Sequence, residues 1–484
     1  MPSKPGEPKR RFLRRFSVQN IRTFRSPATL DFCLEDGSVA QWTVILGENG
    51  TGKTSLLQYL AGMMPVQDSE IPIRGKSGEK QKGPPPFRPM IAGREWFGWN
   101  ATNVPRPWTK PAVLHTELSL SMPVSTLKEA AADPVYDKGL QLTLTFDQTP
   151  EAQPKITTSF TVSADVEFIS QVRVFGYGAS RHVAGPASPY LSSDSFFRNG
   201  GSSPVDTLFH DDHPLISPEQ WLLSLDHTSR SEGKAAENAK RSSENARRCL
   251  ANVLPGITSI DVRPYGLLDS ETAMTVVCET PYGPVPFSSL SLGYRTMAAW
   301  LTDFLKRMHE AYPHLDQPDN GPAVVIIDEF DLHMHPAWQR DAMKALSREF
   351  PNTQFIVTVH SPLVVQAAEG HAKLAVLRRF RRKEDGEEVI IDSDPQFAAG
   401  WRVDQILASD LYRMSPRSAT YTTLVEERVK LRQKEELNPQ ERRRLKEIEE
   451  QLEKEAPPGL SGSSSELLDH LKRALQIPEK AQAK

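Results

Sequence analysis

Cysteine is scarce in this 484-residue chain: Cys33, Cys249 and Cys278 lie far apart, and no CxxC pair or His/Cys cluster has zinc spacing. A secreted disulfide framework and a structural zinc are therefore excluded as sources of stability. No apolar run reaches the roughly 18 residues of a membrane span. The basic N-terminal stretch lacks the apolar segment of a secretory signal. No membrane contact and a reducing, cytoplasmic compartment are expected. An excess of one charge is missing too: 58 basic residues against 61 acidic leave −3, which is no polycation for blanket nucleic-acid binding. Internal repeats and long heptad runs are also absent, so a long coiled-coil arm is not expected.

What is present reads as about three domain-equivalents of α/β type. Residues 1–25 hold eight basic side chains against Glu7, a solubilising tail or, less readily, a phosphate-backbone contact. Ala28–Cys33 and Gln41–Leu46 read as strands and Lys53–Met64 as a helix; the first segment is drawn at 1–66. Residues 67–111, rich in Gly and Pro, read as an irregular insertion. Residues 112–175 alternate and predict an antiparallel β-layer, within a segment drawn at 112–190. A helical lobe follows at 191–310. Ser217-Pro218-Glu219 opens one of its helices, strands return at 257–287, and Tyr294–Met308 is amphipathic. Ala323–Ile327 and Gln354–Val359 read as buried parallel strands around a helix from Trp338, in a segment of 311–412. The last segment, 413–484, predicts a charged helical hairpin turning at Asn438-Pro439, with a thin stripe of Leu445, Ile448 and Leu452. A linker (457–465) and a final helix complete it.

The strongest chemical signal is Gly47-Glu48-Asn49-Gly50-Thr51-Gly52-Lys53-Thr54. It satisfies GxxxxGK[ST] between a strand and a helix. Glycines let backbone N–H groups wrap phosphates, Lys53 neutralises them, and the Thr54 hydroxyl suits Mg²⁺. Ser55 follows on the same first turn. The second signal is Val324–Ile327 ending in Asp328-Glu329: Asp328 is placed to hold Mg²⁺ through water, and Glu329 to orient or deprotonate the attacking water. The third is Leu290-Ser291-Leu292-Gly293-Tyr294-Arg295, an anion site at a helix start with Ser291 and Gly293. The fourth is His360 after strand QFIVTV, within reach of a γ-phosphate.

The order of these four motifs resembles the ABC-type ATPase heads, within the RecF/Rad50/SMC-like branch. Asn20–Ser26 is similar to that branch's N-terminal turn, which implies Arg25 near the nucleotide phosphates and the Phe24 region near the base. The resemblance implies a P-loop ABC head binding ATP and Mg²⁺, with Lys53, Glu329 and His360 catalytic. It also implies a head-to-tail homodimer, or a higher even oligomer, in which Ser291 and Gly293 cap the partner's nucleotide. Asp331–Pro336 (DLHMHP) occupies the D-loop position. Gln171 is the candidate for the glutamine loop.

A narrower series resembles the ATPase subunits of Septu-type and related retron antiphage systems. It comprises Phe175–Arg181 (FGYGASR), Ile216–Leu222, SLSLGYR, DEFDLHMHPAWQ and Gly400–Leu407. The resemblance implies an ATPase of low turnover that controls a separately encoded HNH nuclease, with DNA as a further contact. A RecF-like repair ATPase is the alternative. A self-contained Toprim nuclease is opposed by the missing domain, and a transporter motor by the degenerate LSLGYR. His210-Asp211-Asp212-His213 reads as a solvated loop rather than a metal site, and Arg378–Lys383 as a solvated basic run after a strand. The C-terminal hairpin is the expected partner dock.

Overall fold

A computed structural model describes residues 11–63, 65–67, 87–89, 112–120, 139–147, 155–162, 173–183, 204–264, 274–368, 372–382, 386–395, 400–412, 419–434 and 438–454. The basic tail before Arg11, most of the 67–111 insertion, Gln171, the 457–465 linker and the final helix lie outside the described residues. The chain divides into two units, Met1–Ile406 and Leu407–Lys484.

The first unit is built on two large sheets. One is antiparallel, ordered β2-β1-β6-β7-β8, from β1 (Arg11–Gln19), β2 (Ala28–Asp31), β6 (Ala112–Leu120), β7 (Gly139–Asp147) and β8 (Lys155–Val162). Between β2 and β6 lie β3 (Trp42–Gly47) and a small pair, β4 (Pro65–Gln67) with β5 (Phe87–Pro89). The other large sheet is ordered β16-β15-β3-β14-β13-β9. It adds β9 (Val174–Tyr177), β13 (Ala323–Ile327), β14 (Thr353–Thr358), β15 (Ala372–Arg382) and β16 (Gly386–Asp392). All its pairings are parallel except that of β16 at the edge. Its inner strands are buried along their length, as strands covered on both faces must be, and hence read as unbroken apolar runs.

The alternation through 112–175 predicts one antiparallel layer, and the structure divides it. β6 to β8 form that layer, but β9 leaves it and pairs in parallel with β13. Alternation reports half-burial in either kind of sheet and does not choose the partner. A second departure is the basic run at Arg378: it lies inside β15, not after it.

The antiparallel sheet packs on the P-loop side of the parallel one. Phe16, Leu30 and Phe32 share a core with Leu56, Leu57 and Leu60 of the P-loop helix (Lys53–Gly62), and with Ile45, Ile326 and Ile356 of the parallel strands. One polar residue sits inside this contact. Gln354 of β14 accepts from Leu13 N at 2.9 Å and donates to Leu13 O at 3.1 Å, beside the register shift between Leu13 and Arg15 in β1. The bulge frees two backbone groups, and a buried amide satisfies both.

The helical lobe holds helices Pro218–Ser229 and Lys234–Val253 against a three-stranded antiparallel sheet of β10 (Ser259–Pro264), β11 (Met274–Thr280) and β12 (Gly283–Pro286). Ser217 caps the first of these helices by accepting from Gln220 N, with Pro218 in the first turn. From β12 the chain enters the signature helix, Leu292–Ala311.

The second unit contains the hairpin of helices Ala419–Arg432 and Pro439–Lys454. Leu424, Val425, Leu431, Ile448 and Leu452 make its small core. Asn438 accepts from Glu441 N at 2.9 Å while Glu441 accepts from Asn438 N at 3.0 Å, a reciprocal capping box. Arg444 forks onto Glu427 at 2.9 and 2.8 Å across the two helices. No helix among the described residues is long and apolar enough to cross a membrane.

Candidate functional site

Parallel strands deliver their following loops to one edge, and the carboxyl edge of such a sheet is where ligands bind. Here β3 runs into the P-loop, β13 into Asp328-Glu329, β14 into His360, and β9 into Gly178–Arg181. Three of the four motifs found in the sequence are therefore delivered to one edge of this sheet, while the fourth, the Ser291 segment, follows β12 of the separate three-stranded sheet.

The P-loop is closed from within. Thr51 Oγ1 donates to Glu48 O at 2.8 Å. Lys53 is buried, and its ammonium donates to Gly47 O at 2.7 Å and Glu48 O at 3.1 Å. Burial lowers its pKa, opposed by the charges of Asp328, Glu329 and Asp331. Gly52 caps the helix with φ +90°, and a Cβ there would meet Thr23 Oγ1 at 2.9 Å. Only glycine suits that combination of left-handed backbone and close neighbour.

Thr54 and Asp328 meet directly: Thr54 Oγ1 donates to Asp328 Oδ2 at 2.5 Å. The other carboxylate oxygen, Oδ1, accepts from Thr358 Oγ1 at 2.5 Å. Two hard oxygen donors at one point suit Mg²⁺, which binds one or two protein oxygens and completes its shell with water and phosphate. Among the described residues no group of three or more His, Cys, Asp or Glu is gathered for a metal.

Glu329 has a held backbone and a side chain without a hydrogen bond among the described residues. Its N–H donates to Thr358 Oγ1 at 2.7 Å, and its carbonyl accepts from Arg181 at 2.6 Å and from Leu332 N at 3.0 Å. Its φ is +48°. Five non-glycine residues among those described have positive φ: Asn20, Arg22, Arg181, Glu329 and His333. Of these, Arg22 bonds Ser55 of the P-loop helix, Arg181 bonds Glu329, and His333 lies in the turn that follows it. Each such residue costs about 1–3 kcal/mol and persists only where its surroundings over-determine it, which is characteristic of functional sites.

The remaining candidates fall as follows. Ser291 is exposed at the start of the signature helix and makes no capping bond. Leu292 beside it is 54% exposed, an apolar side chain presented to solvent. Gly293 lies so close to the Asp331–Met334 turn that a Cβ would sit 2.3 Å from His333 O. The signature and D-loop segments are thereby packed together in one chain. His360 is exposed, and its N–H donates to Asp331 Oδ2 at 2.9 Å, as Ser361 N does at 2.6 Å. Ser55 accepts from Arg22 at 2.8 Å. Arg25 is half-buried in the same turn, and Arg22 of that turn is joined to the P-loop helix through Ser55. Phe24 is fully buried beside Gly52. Its ring belongs to the core that backs the loop.

Sequence reasoning did not find the contacts that Arg379, Asp331, Thr358 and Arg181 make at this edge. Arg379 donates to Asn49 O at 2.6 Å and lies 3.9 Å from the Glu48 carboxylate. Arg378, on the opposite face of β15, pairs with Asp392 at 3.0 Å. Asp331, Thr358 and Arg181 hold the acidic turn. The pairing Leu377↔Gly47 explains Arg379: β15 runs beside the P-loop strand, so residues just past Leu377 flank the loop. Only the strand partner supplies that signal.

The parallel sheet and this edge, with the P-loop beside an acidic strand end, are those of a P-loop nucleotide-binding fold. Residues 29–92 match the family model described as "ABC transporter", and residues 184–366 match the model described as "AAA domain, putative AbiEii toxin, Type IV TA system". The chain is similar to Septu protein PtuA of Bacillus mycoides, 23% identical over 447 residues, covering 92% of this chain and 51% of that one. It therefore spans about half the length of that relative. It is also similar to the Retron Vc95 probable ATPase of Vibrio cholerae, 46% identical over 77 residues, which is 16% of this chain and 15% of that one. The SMC head domain from Thermotoga maritima is 16% identical with a TM-score of 0.38, over 79% of this chain and 99% of that one.

Proposed function

We propose that this chain binds ATP with Mg²⁺, hydrolyses it slowly in a head-to-tail pair, and uses that cycle to control a nuclease carried on a separate chain in antiphage defence. The observation that carries the ATPase reading is the meeting of Thr54, Asp328 and Glu329 at the edge that holds Lys53.

The chemistry follows from the residues. The P-loop amides and the Lys53 ammonium take the phosphates, so the ammonium exchanges two carbonyls for phosphate oxygens. Thr54 and Asp328 would hold the magnesium ion, which neutralises charge on the triphosphate when bound. Glu329 accepts the proton of a water that attacks the γ-phosphorus, as the Pγ–O bond to ADP breaks. Its carboxylate makes no hydrogen bond within the described residues, while its backbone is fixed, so the base is aimed yet available. His360 stands on the loop held by Asp331 and is placed to contact the γ-phosphate. Ser291 and Gly293 are placed to cap the nucleotide of a second copy. The exposed Ser291 and Leu292 support this, because an exposed apolar side chain beside an unused cap hydroxyl suits a surface that a partner covers.

The defence role rests on similarity to PtuA and to retron ATPases. The HNH nuclease partner comes from the family resemblance. The second unit is the proposed dock, since its core of five buried residues is thin. Co-purification in Mg-ATP tests this. An HNH nuclease co-expressed with the full chain is expected to follow it and to be lost from a chain cut before Thr420. Equal retention by the cut chain contradicts the dock, and no retention by the full chain contradicts the partner.

A further inference from the structure

The FGYGASR segment, which the proposed function does not use, ends within hydrogen-bond distance of the acidic turn. Gly178 opens the loop after β9, and a Cβ there would meet Thr207 O at 2.1 Å, so the loop is pressed against the Asp206–Phe209 helix. At its far end Arg181 is 2% exposed, with φ +34°. One terminal nitrogen donates to Glu329 O; Nε is buried and makes no hydrogen bond among the described residues. Asp328, Glu329 and Asp331 are the charges that act on it, and Lys53 is acted on by the same three. Burial pulls its pKa down to about 10 against those three acids.

A buried guanidinium with an unused donor is a poor way to gain stability; a well-packed apolar side chain of similar volume would serve as well or better. Its value lies elsewhere. Glu329 holds a left-handed backbone that an L-residue leaves unless both ends are fixed. Thr358 fixes the N–H end. We propose that Arg181 is a positioning residue for hydrolysis: through the Glu329 carbonyl it fixes the other end, and so aims the Glu329 carboxylate at the attacking water. This rests on the ATPase reading and deepens it. The phosphate contacts come from the P-loop, so loss of Arg181 is expected to spare nucleotide binding and to misdirect only the base.

The test compares the full-length wild type with Arg181→Met and Arg181→Lys. The readouts are kcat and KM for ATP, equilibrium binding of a fluorescent ATP analogue with Mg²⁺, and thermal unfolding without nucleotide. Arg181→Met is expected to lower kcat about ten- to a hundred-fold, because a small misplacement of a catalytic group costs that much, with KM and binding within about three-fold. In Arg181→Lys an ammonium keeps the charge and one donor, and kcat is expected to recover to within about five-fold of wild type but not fully. Wild-type kcat in Arg181→Met overturns the proposal, as does a parallel loss of binding and kcat in both variants. Should Arg181→Met fail to fold, Arg181→Lys decides: reduced kcat with unchanged binding supports the role, and unchanged kcat or joint loss overturns it. Absence of turnover in the wild type is a different result, and it removes the ATPase reading itself.

Discussion

Lys53→Ala is expected to leave the chain folded and nearly unable to hold ATP. The ammonium is buried at the mouth of the loop and already makes two charge-assisted hydrogen bonds, to Gly47 O and Glu48 O. Those carbonyls stand in for the phosphate oxygens that the ammonium meets when nucleotide arrives. Two charge-assisted bonds at about 1.5–3 kcal/mol each set the scale, so a loss of about 3 kcal/mol or more is expected, roughly a hundred-fold in affinity. A second effect has the same sign. Asp328, Glu329 and Asp331 all act on Lys53, and without it their charge faces the incoming triphosphate less compensated. Neither effect touches the core behind the loop, so unfolding without nucleotide should change little. Titration with a fluorescent ATP analogue checks this, and an affinity within about three-fold of wild type contradicts it.

Glu329→Gln is expected to separate binding from turnover. The amide keeps the shape and volume of the side chain but does not accept the water's proton. General-base catalysis contributes about 10²–10⁴-fold, so kcat should fall by that range while Mg-ATP binding is kept. The fold should not notice, because the carboxylate makes no hydrogen bond among the described residues and the backbone bonds to Thr358, Arg181 and Leu332 are independent of it. A bound, unhydrolysed nucleotide then prolongs the paired state. Phosphate release and light scattering together check the outcome. A variant retaining more than about a tenth of wild-type turnover assigns the base elsewhere.

The parts of the site legible in the sequence are those whose neighbours are also sequence neighbours. Lys53 and Thr54 share one loop, and Asp328 and Glu329 share one strand end, so a motif and its flanks were enough. Contributors that reach the edge from a distant strand were not legible. Arg379 stood in a basic run that reads equally well as a solvated face, until β15 was seen beside β3. Thr358 preceded the histidine that drew notice, yet it bonds both Asp328 and the Glu329 N–H. Gln354 interrupts an apolar strand for a reason found only in the bulge of β1. The sheets divide in the same way. Alternation identified the strands, while their partners, and hence the departure of β9 from the antiparallel layer, depend on pairings between residues more than a hundred positions apart.

The account depends above all on two copies sharing each nucleotide, and mixing two inactive variants tests that most directly. Lys53→Ala destroys the cradle, and Ser291→Glu places a negative charge where the cap would meet phosphate. Each is expected to be inactive alone. In a mixed pair, the intact Lys53 of one chain faces the intact Ser291 of the other, so one of the two sites is whole. Equal mixing with random pairing makes half of the dimers mixed, each with one working site, so about a quarter of wild-type ATP turnover should return. If the mixture stays as inactive as its components, or if Ser291→Glu turns over ATP like the wild type, the shared site is contradicted.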